Sequence, residues 1–238
     1  MLAISMYFLS HLHINTMNKK FAKKSKITEK KKKQKHNLRQ SIDKPIFEFL
    51  LNLLDTTETD PSMLFNKKLL NIILYYTGLR INEAIILNKL NVLELFNRGQ
   101  LSVYCKKSKD HRTVFLRGNM KLGFIKHLGD MKIDDMNDKG FVNKFGNRLT
   151  IHAMFEGMQK YWDILENKFG GRSDILPGRT FGFHSYRINF INQVCRSSDL
   201  DTASTLIGHR SLATTLIYMR RQENNADKYV DVLNKSAF

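Results

Sequence analysis

Five residues carry side chains that together could break and remake a phosphodiester bond. Arg80 lies in the first half of the chain, whereas His184, Arg187, His209 and Tyr218 fall within 35 residues of one another in the last third. They supply one phenol that can act as a nucleophile, two imidazoles that can move protons and two guanidiniums that can neutralise a phosphate. A set of this kind is suited to attack on a phosphodiester without a metal ion.

Cleavage of a phosphodiester by a protein nucleophile involves three tasks, and each residue type suits one of them. Arginine neutralises the non-bridging oxygens, because its planar fork matches phosphate and keeps its charge. A free tyrosine has a pKa of about 10, so its full ionisation at pH 7 costs roughly 4 kcal/mol. Nearby positive charge lowers this cost, a histidine can accept the proton, and a lysine can protonate the departing alkoxide.

Each of these residues has an ordinary structural interpretation when it is taken alone. An arginine in a Gly-Leu-Arg turn is most often a surface residue, and Tyr218 stands among apolar neighbours that would place it in the core by default. Their joint occurrence and their order in a basic chain favour the catalytic interpretation.

The elements that must position these side chains are predicted mainly as helices. Arg80 is expected at a junction, between a helix that Gly78 ends and a third helix that Asn82 or a neighbour caps. That third helix is expected to carry Glu83 in its first turn and to continue to about Leu90. The other predicted helices span residues 46–53, 64–76, 121–128, 152–169, 183–194, 201–207, 211–218 and 225–233.

Two short alternating stretches, Leu101–Cys105 and Arg112–Leu116, predict the strands of a β-hairpin. The turn between them contains three lysines, which are Lys106, Lys107 and Lys109. The expected fold class is therefore α+β, mainly helical, with a small antiparallel sheet.

The ordered motifs resemble those of the tyrosine recombinases, which are also called the phage integrase family. The matching motifs are Thr77-Gly78-Leu79-Arg80-x-x-Glu83, the lysine-bearing hairpin, His184-x-x-Arg187 and Leu206-Ile207-Gly208-His209-Arg210-Ser211-Leu212-x-Thr214-Thr215-x-x-Tyr218. The nine-residue step from His209 to Tyr218 also matches the family. The resemblance extends from about Pro45 to Tyr229 and implies the DNA breaking-rejoining catalytic core of these enzymes.

Carried over residue by residue, the resemblance implies a role for each member of the set. Arg80 and Arg187 would grip the scissile phosphate, His184 would assist proton transfer at the tyrosine, and His209 would donate to a non-bridging oxygen. Tyr218 would be the nucleophile that forms a 3′-phosphotyrosyl link and releases a 5′-hydroxyl, which later attacks the link on a partner strand. The link stores the bond energy, so the implied reaction uses no cofactor, metal or ATP.

The resemblance also implies a general acid in the hairpin and an acidic residue after the first arginine. Residues 106–114 match the family's pattern Lys-Thr-Gly-Lys-x-x-Arg-x-Val with Lys106 as the acid, whereas the family's shorter hairpins favour Lys107. Glu83 would hold Arg80 in position without reacting.

Charge and length predict the domain organisation. The 238 residues carry a formal net charge of +17, of which residues 19–39 contribute +10. Residues 1–44 are expected to be a basic arm that is disordered when alone, and residues 45–238 the catalytic domain. Family members commonly carry a core-binding domain before the catalytic one, and this chain is expected to lack it.

A basic arm joined to a basic body predicts a nucleic acid partner. The resemblance makes this partner double-stranded DNA, bound by a homo-oligomer such as a tetramer on paired sites, or together with partner recombinase subunits. No membrane partner is expected, since no apolar run approaches the length that spans a bilayer. Two cysteines, too few for a disulfide framework, favour a reducing compartment inside a cell: a bacterial or viral-host cytoplasm, or an organelle.

Two alternative functions remain open on the sequence. A type IB topoisomerase would use the same chemistry but reseal the original strand. A DNA-binding remnant that no longer cuts would be consistent with the expected lack of a core-binding domain. The opening residues have the wrong charge order for a secretory signal, and either Met1 or Met17 could be the start.

Overall fold

The computed structural model describes residues 40–106, 109–129, 131, 133, 136–169, 181–208 and 211–216. Within these residues, most of the chain is helical and the strands form one two-stranded sheet. The elements are α1 (Lys44–Thr57), α2 (Pro61–Thr77), α3 (Ile81–Ala84), α4 (Lys89–Arg98), β1 (Gln100–Cys105), β2 (Asp110–Phe115), α5 (Gly118–Gly129), α6 (Ile151–Phe169), α7 (Phe183–Ser197) and α8 (Leu200–Ile207). Residues 212–216 are also helical. The predicted mainly helical α+β class is confirmed.

Aspartate caps set the starts of α1 and α2. Asp43 caps α1, and the Asp60 carboxylate accepts hydrogen bonds from the Ser62 and Met63 N–H groups at the start of α2. Such caps satisfy N–H groups that have no carbonyl partner within the helix. Gly78 ends α2 in the left-handed conformation, with φ at 60°, as the sequence predicts.

Helix α2 is buried on nearly every side from residue 66 to its end. It packs against α1, α5 and α7, and the ring of Tyr75 stacks on Phe47 of α1 with the centroids 3.9 Å apart. A polar side chain inside this core needs a partner, and the buried Asn71 amide accepts a hydrogen bond from the Tyr186 hydroxyl of α7. The core therefore holds α7 against the helix that leads to Arg80.

The third predicted helix is the element on which the sequence prediction was wrong. Arg80, not Asn82, stands at the N-cap of α3, and α3 ends after one turn at Ala84. A new helix, α4, then begins behind Asn88, whose side chain accepts a hydrogen bond of 2.9 Å from the Asn91 N–H. Asparagine favours the cap position, and this second cap divides the apolar run into two helices.

The hairpin positions one face of its strands against the core. Leu101, Val103 and Cys105 alternate with exposed residues along β1, as expected for a half-buried strand. The antiparallel register pairs Val103 with Arg112 and Cys105 with Asp110. The predicted hairpin is confirmed, although β2 begins at Asp110, two residues earlier than expected.

The residues just before α1 are anchored on α7. Ile42 is fully buried, and its N–H donates to the Ser185 carbonyl over 3.4 Å. The Ser41 hydroxyl donates to the Asn189 side chain over 3.5 Å. The predicted arm spans residues 1–44, and its residues 1–39 lie outside the described residues. No helix in the described ranges is long and apolar enough to span a bilayer.

A buried ion pair joins α1, α2 and α6. The Lys67 ammonium and the Tyr161 hydroxyl both donate to Glu58, which follows α1 and whose side chain is only 10% exposed. Burial by itself would raise the pKa of Glu58, but the hydrogen bonds from Lys67 and Tyr161 outweigh it and lower the pKa to about 2. The charged carboxylate is thus strongly preferred in the folded chain.

We expect Glu58 to make folding stability depend on pH in the acid range. The carboxyl titrates near 4.5 in the unfolded chain and near 2 when folded, so its contribution is complete above pH 4.5 and is lost as the pH falls toward 2. The shift corresponds to about 3 kcal/mol, which solvent screening reduces to about 1–2 kcal/mol.

Urea unfolding of Glu58→Gln at neutral pH and at about pH 3 measures this contribution. The variant should lose stability at neutral pH and show a flatter acid profile. The control is Asp55→Asn, because Asp55 pairs with Lys68 at a more exposed position, with its side chain 46% exposed. Equal pH profiles for Glu58→Gln and the wild type would contradict the assignment.

Candidate active site

The turn after α2 directs Arg80. The Thr77 hydroxyl donates to the Ile73 carbonyl over 2.6 Å and accepts from the Leu79 N–H over 3.3 Å, which ties the turn to the last turn of α2. A Cβ on Gly78 would lie 2.4 Å from the Phe190 ring, and its φ of 60° also favours glycine. The Gly-Leu-Arg motif is therefore a tight turn with α7 packed against it.

Glu83 holds the Arg80 side chain and backbone together. Its Oε1 accepts a hydrogen bond of 2.8 Å from Arg80 Nη1, and its Oε2 accepts one of 2.9 Å from the Arg80 N–H. Burial alone would raise the pKa of Glu83, but the Arg80 backbone hydrogen bond and the Arg112 charge lower it overall. The Arg80 side chain stays 33% exposed, so it is accessible to a ligand. The contacts match the positioning role expected for Glu83.

Arg187 is buried and ties two loops together. Its Nη1 donates to the Gly78 carbonyl over 2.7 Å, and its Nη2 donates to the Ile207 carbonyl over 2.9 Å. Both carbonyls lie at helix C-termini, of α2 and α8, where a positive charge is favoured. Gly78 precedes Arg80 by two residues and Ile207 precedes His209 by two. Arg187 therefore links the turn that carries Arg80 to the segment that leads to His209.

Helix α8 is held against α7 by a small apolar cluster. Ile191 and Cys195 of α7 contact Ala203 and Ile207 of α8, so the Ile207 carbonyl reaches Arg187. Gly208 ends α8 in the left-handed conformation with φ at 70°, as predicted. His209 and Tyr218 lie outside the described residues, and their roles stay predictions.

His184 and Lys106 are both exposed at the protein surface. His184 stands in the first turn of α7, where the Gly182 N–H donates to the Ser185 hydroxyl over 3.2 Å. Lys106 follows β1, and the hairpin turn is closed by a hydrogen bond of 2.8 Å from the Lys109 N–H to the Cys105 carbonyl. Lys107 lies outside the described residues.

The contacts pair Arg80 with Glu83 and tie Arg187 to the turn before Arg80, and they add a residue to which the sequence analysis assigned no role. Arg112 of β2 donates from Nη2 to Glu83 Oε2 over 3.0 Å. It stands two residues before the buried Val114, so strand alternation places both on the inner face. Two signals were available in the sequence: this alternation, and the arginine of the hairpin pattern, which Arg112 matches. With two guanidiniums on one carboxylate, the site keeps an excess positive charge suited to a phosphate.

Known proteins with similar sequences are recombinases. The sequence model of the phage integrase family matches residues 47–225. Tyrosine recombinase XerC of Chlamydia trachomatis is 27% identical over 185 residues, which cover 76% of this chain and 55% of the relative. XerC of Escherichia coli O157:H7 is 30% identical over 169 residues, which cover 70% of this chain and 52% of the relative.

Solved structures share the fold. XerH site-specific recombinase in a post-cleavage complex with palindromic difH substrate aligns with a TM-score of 0.56 at 22% identity, covering 83% of this chain and 54% of that one. XerA recombinase aligns with a TM-score of 0.50 at 21% identity, covering 76% and 60%. The chain spans about half the length of the curated relatives it matches. Because the family model covers well over half of the chain, from residue 47 to 225, this protein belongs to the phage integrase family.

Proposed function

We propose that this chain cleaves and rejoins double-stranded DNA as a site-specific tyrosine recombinase. The observation that carries the proposal is the position of Arg187, which joins the turn of Arg80 to the end of α8 through the carbonyls of Gly78 and Ile207. This arrangement holds the turn of Arg80 against α7, which carries Arg187, at a site with excess positive charge. Charge stabilisation by one well-placed arginine is worth on the order of 10³–10⁵ in the rate of phosphoryl transfer.

In the proposed reaction the Tyr218 oxygen attacks the scissile phosphorus. The P–O5′ bond breaks, a 3′-phosphotyrosyl bond forms, and the phenol proton passes to a base for which His184 is the candidate. Lys106 protonates the departing 5′ oxygen, while Arg80, Arg187 and His209 stabilise the non-bridging oxygens. Attack by a 5′-hydroxyl of a second strand reverses these steps and completes the exchange.

The proposed partners follow from the same chemistry. Strand exchange needs two paired DNA sites, and therefore several active sites, supplied by a homo-oligomer or by partner recombinase subunits. The XerH neighbour is described as bound to a palindromic difH substrate, which supports duplex DNA as the ligand. The net charge of +17 predicts binding that weakens steeply as the salt concentration rises. An intracellular location is part of this proposal.

Covalent capture on a nicked duplex tests the function. The duplex carries candidate repeats that flank the gene of this protein, with a nick close to the cleavage position, so that the short 5′-hydroxyl fragment diffuses away and the adduct persists. The expected result is a protein–DNA band that persists in denaturing electrophoresis after the sample has been heated without protease treatment. Relaxation of supercoiled DNA with no exchange between two sites would instead indicate topoisomerase activity, and the absence of any adduct would refute cleavage.

The general acid can be identified by a change of leaving group. Lys106→Ala should slow cleavage of an ordinary phosphodiester on the order of 10²–10⁴-fold, because the 5′ alkoxide then leaves without a proton. A 5′-thio leaving group is a far weaker base and needs no proton, so it should restore the rate. Lys109→Ala is the matched control within the same turn. Rescue that occurs only for Lys107→Ala would assign the role of general acid to Lys107 instead of Lys106.

A further inference from the structure

Arg112 points into the protein from a strand whose neighbouring side chains face outward. His111 and Thr113 are exposed, whereas the Arg112 side chain is only 13% exposed and Val114 beyond it is buried. Such burial is uncommon for an arginine unless its charge is paired. The contacts of the buried Arg112 side chain therefore indicate its role.

One partner of Arg112 is the carboxylate that holds Arg80. Arg112 Nη2 donates to Glu83 Oε2 over 3.0 Å, and the same oxygen accepts the Arg80 N–H over 2.9 Å. The other oxygen, Oε1, accepts from Arg80 Nη1 over 2.8 Å. Glu83 thus has one carboxylate between two guanidiniums, and its orientation depends on both. Loss of Arg112 would leave Oε2 with one donor fewer and would free the carboxylate to rotate.

The second contact of Arg112 is the backbone that precedes His209. A Cβ built on Gly208 would lie 2.7 Å from Arg112 Cδ and 3.2 Å from its Nε, so the arginine stem lies directly against the left-handed Gly208. Within the described residues, the buried Nε has no hydrogen-bond partner. Arg112 therefore touches the end of α8 with its stem and the start of α3 with its guanidinium.

The hairpin carries Arg112 on β2 and Lys106 directly after the end of β1. Arg112 lies opposite Val103, two residues before Cys105, after which Lys106 follows. The salt bridge from Arg112 to Glu83 is thus a side-chain link between the lysine hairpin and the turn of Arg80. Because β1 and β2 are paired in a fixed register, the position of Arg112 on β2 also restricts the position of the end of β1, and so of Lys106.

We infer that Arg112 is a positioning residue for cleavage, acting on Arg80 through Glu83 and on the end of α8 through Gly208. It does not touch the reacting phosphate in this scheme. An arginine suits the position because its planar fork can pair with a carboxylate while its stem packs on backbone, whereas a lysine offers one compact charge. The inference rests on the proposed cleavage activity and extends it to Arg112, which matches the arginine of the hairpin pattern but was given no role above.

The test compares Arg112→Met and Arg112→Lys with wild type in the capture assay on nicked duplexes. Arg112→Met should slow adduct formation by about 100-fold, the size expected when catalytic groups shift by about 1 Å. Affinity for the uncleaved duplex should stay within about threefold, since Arg112 is not proposed to contact DNA. Arg112→Lys should recover part of the rate. The control is Arg98→Met, an arginine of α4 whose side chain is 73% exposed.

Two modified substrates separate positioning of Arg80 from a general loss of structure. A methylphosphonate at the cleavage position carries no negative charge, so its cleavage depends less on guanidiniums, and the Arg112→Met defect should shrink on it. A 5′-thio leaving group replaces only the task of the lysine and should not rescue the variant. In the Glu83→Gln background the Arg112→Met effect should also be smaller, because the two residues act through one contact.

The outcomes distinguish the inference from the proposed function. No adduct with wild-type protein would refute both. An adduct with wild type and an Arg112→Met rate within about threefold of it would refute only the inference. An equal defect on the methylphosphonate and on the ordinary phosphodiester would do the same, as would full rescue by the 5′-thio group. If Arg112→Met fails to fold in a thermal unfolding measurement, the same comparisons are made with Arg112→Lys.

Discussion

Replacing Tyr218 with phenylalanine should abolish covalent capture of a nicked duplex while leaving DNA binding almost unchanged. The substitution removes a single oxygen, and without it no bond to phosphorus can form. The remaining arginines and histidines still present their donors to the phosphate, so affinity should stay within about threefold of the wild type. Capture is measured by denaturing electrophoresis and binding by a mobility-shift titration at fixed salt.

Tyr229→Phe is the matched control for this experiment. Tyr229 is the other tyrosine in the sequence after Arg187, so it is the natural competitor for the role of nucleophile. The control should form the adduct at a normal rate. An adduct that persists in Tyr218→Phe and disappears in Tyr229→Phe would show that the nucleophile has been assigned to the wrong residue.

Replacing Arg187 with methionine should reduce both the rate of cleavage and the stability of the fold. A loss of both is expected because the same side chain serves the phosphate site and holds two loops together. Cleavage should fall on the order of 10³-fold or more, because a cation near the phosphate is lost and the two loops it joins are released. The Gly78 and Ile207 carbonyls lose their donors, which should lower the free energy of unfolding by roughly 2–4 kcal/mol. Urea unfolding and single-turnover capture measure the two effects.

Two further variants separate the contributions of Arg187. Arg187→Lys keeps the charge but cannot reach both carbonyls with one ammonium, so it should be intermediate in stability and still poor in cleavage. Arg196→Met removes an exposed arginine from the same helix and should change neither quantity appreciably. A fully stable Arg187→Met protein would contradict the interpretation that this residue holds the loops together.

Local signals in the chain were sufficient for much of the scaffold. The end of α2 at Gly78, the hairpin and the end of α8 at Gly208 all follow from glycine and from apolar spacing, since these features act over a few residues. The prediction failed over residues 81–90, where the apolar run favoured one helix but the side chain of Asn88 starts another. The free energies of alternative N-cap residues differ by only a few tenths to about 2 kcal/mol, so helix boundaries set by caps are easily misplaced in a prediction from sequence.

Residue types and their order in the chain were enough to indicate phosphodiester chemistry and the family, because these chemical groups recur together in one order. The burial of these residues and their contact partners could not be predicted in this way. His184 and Arg187 stand three residues apart, yet the first is exposed and the second is buried on two carbonyls from distant loops. Arg112 pairs with a carboxylate 29 residues away. Contacts of this kind depend on how α2, α7, α8 and the hairpin pack, and packing brings together residues whose separation along the chain carries no signal of contact.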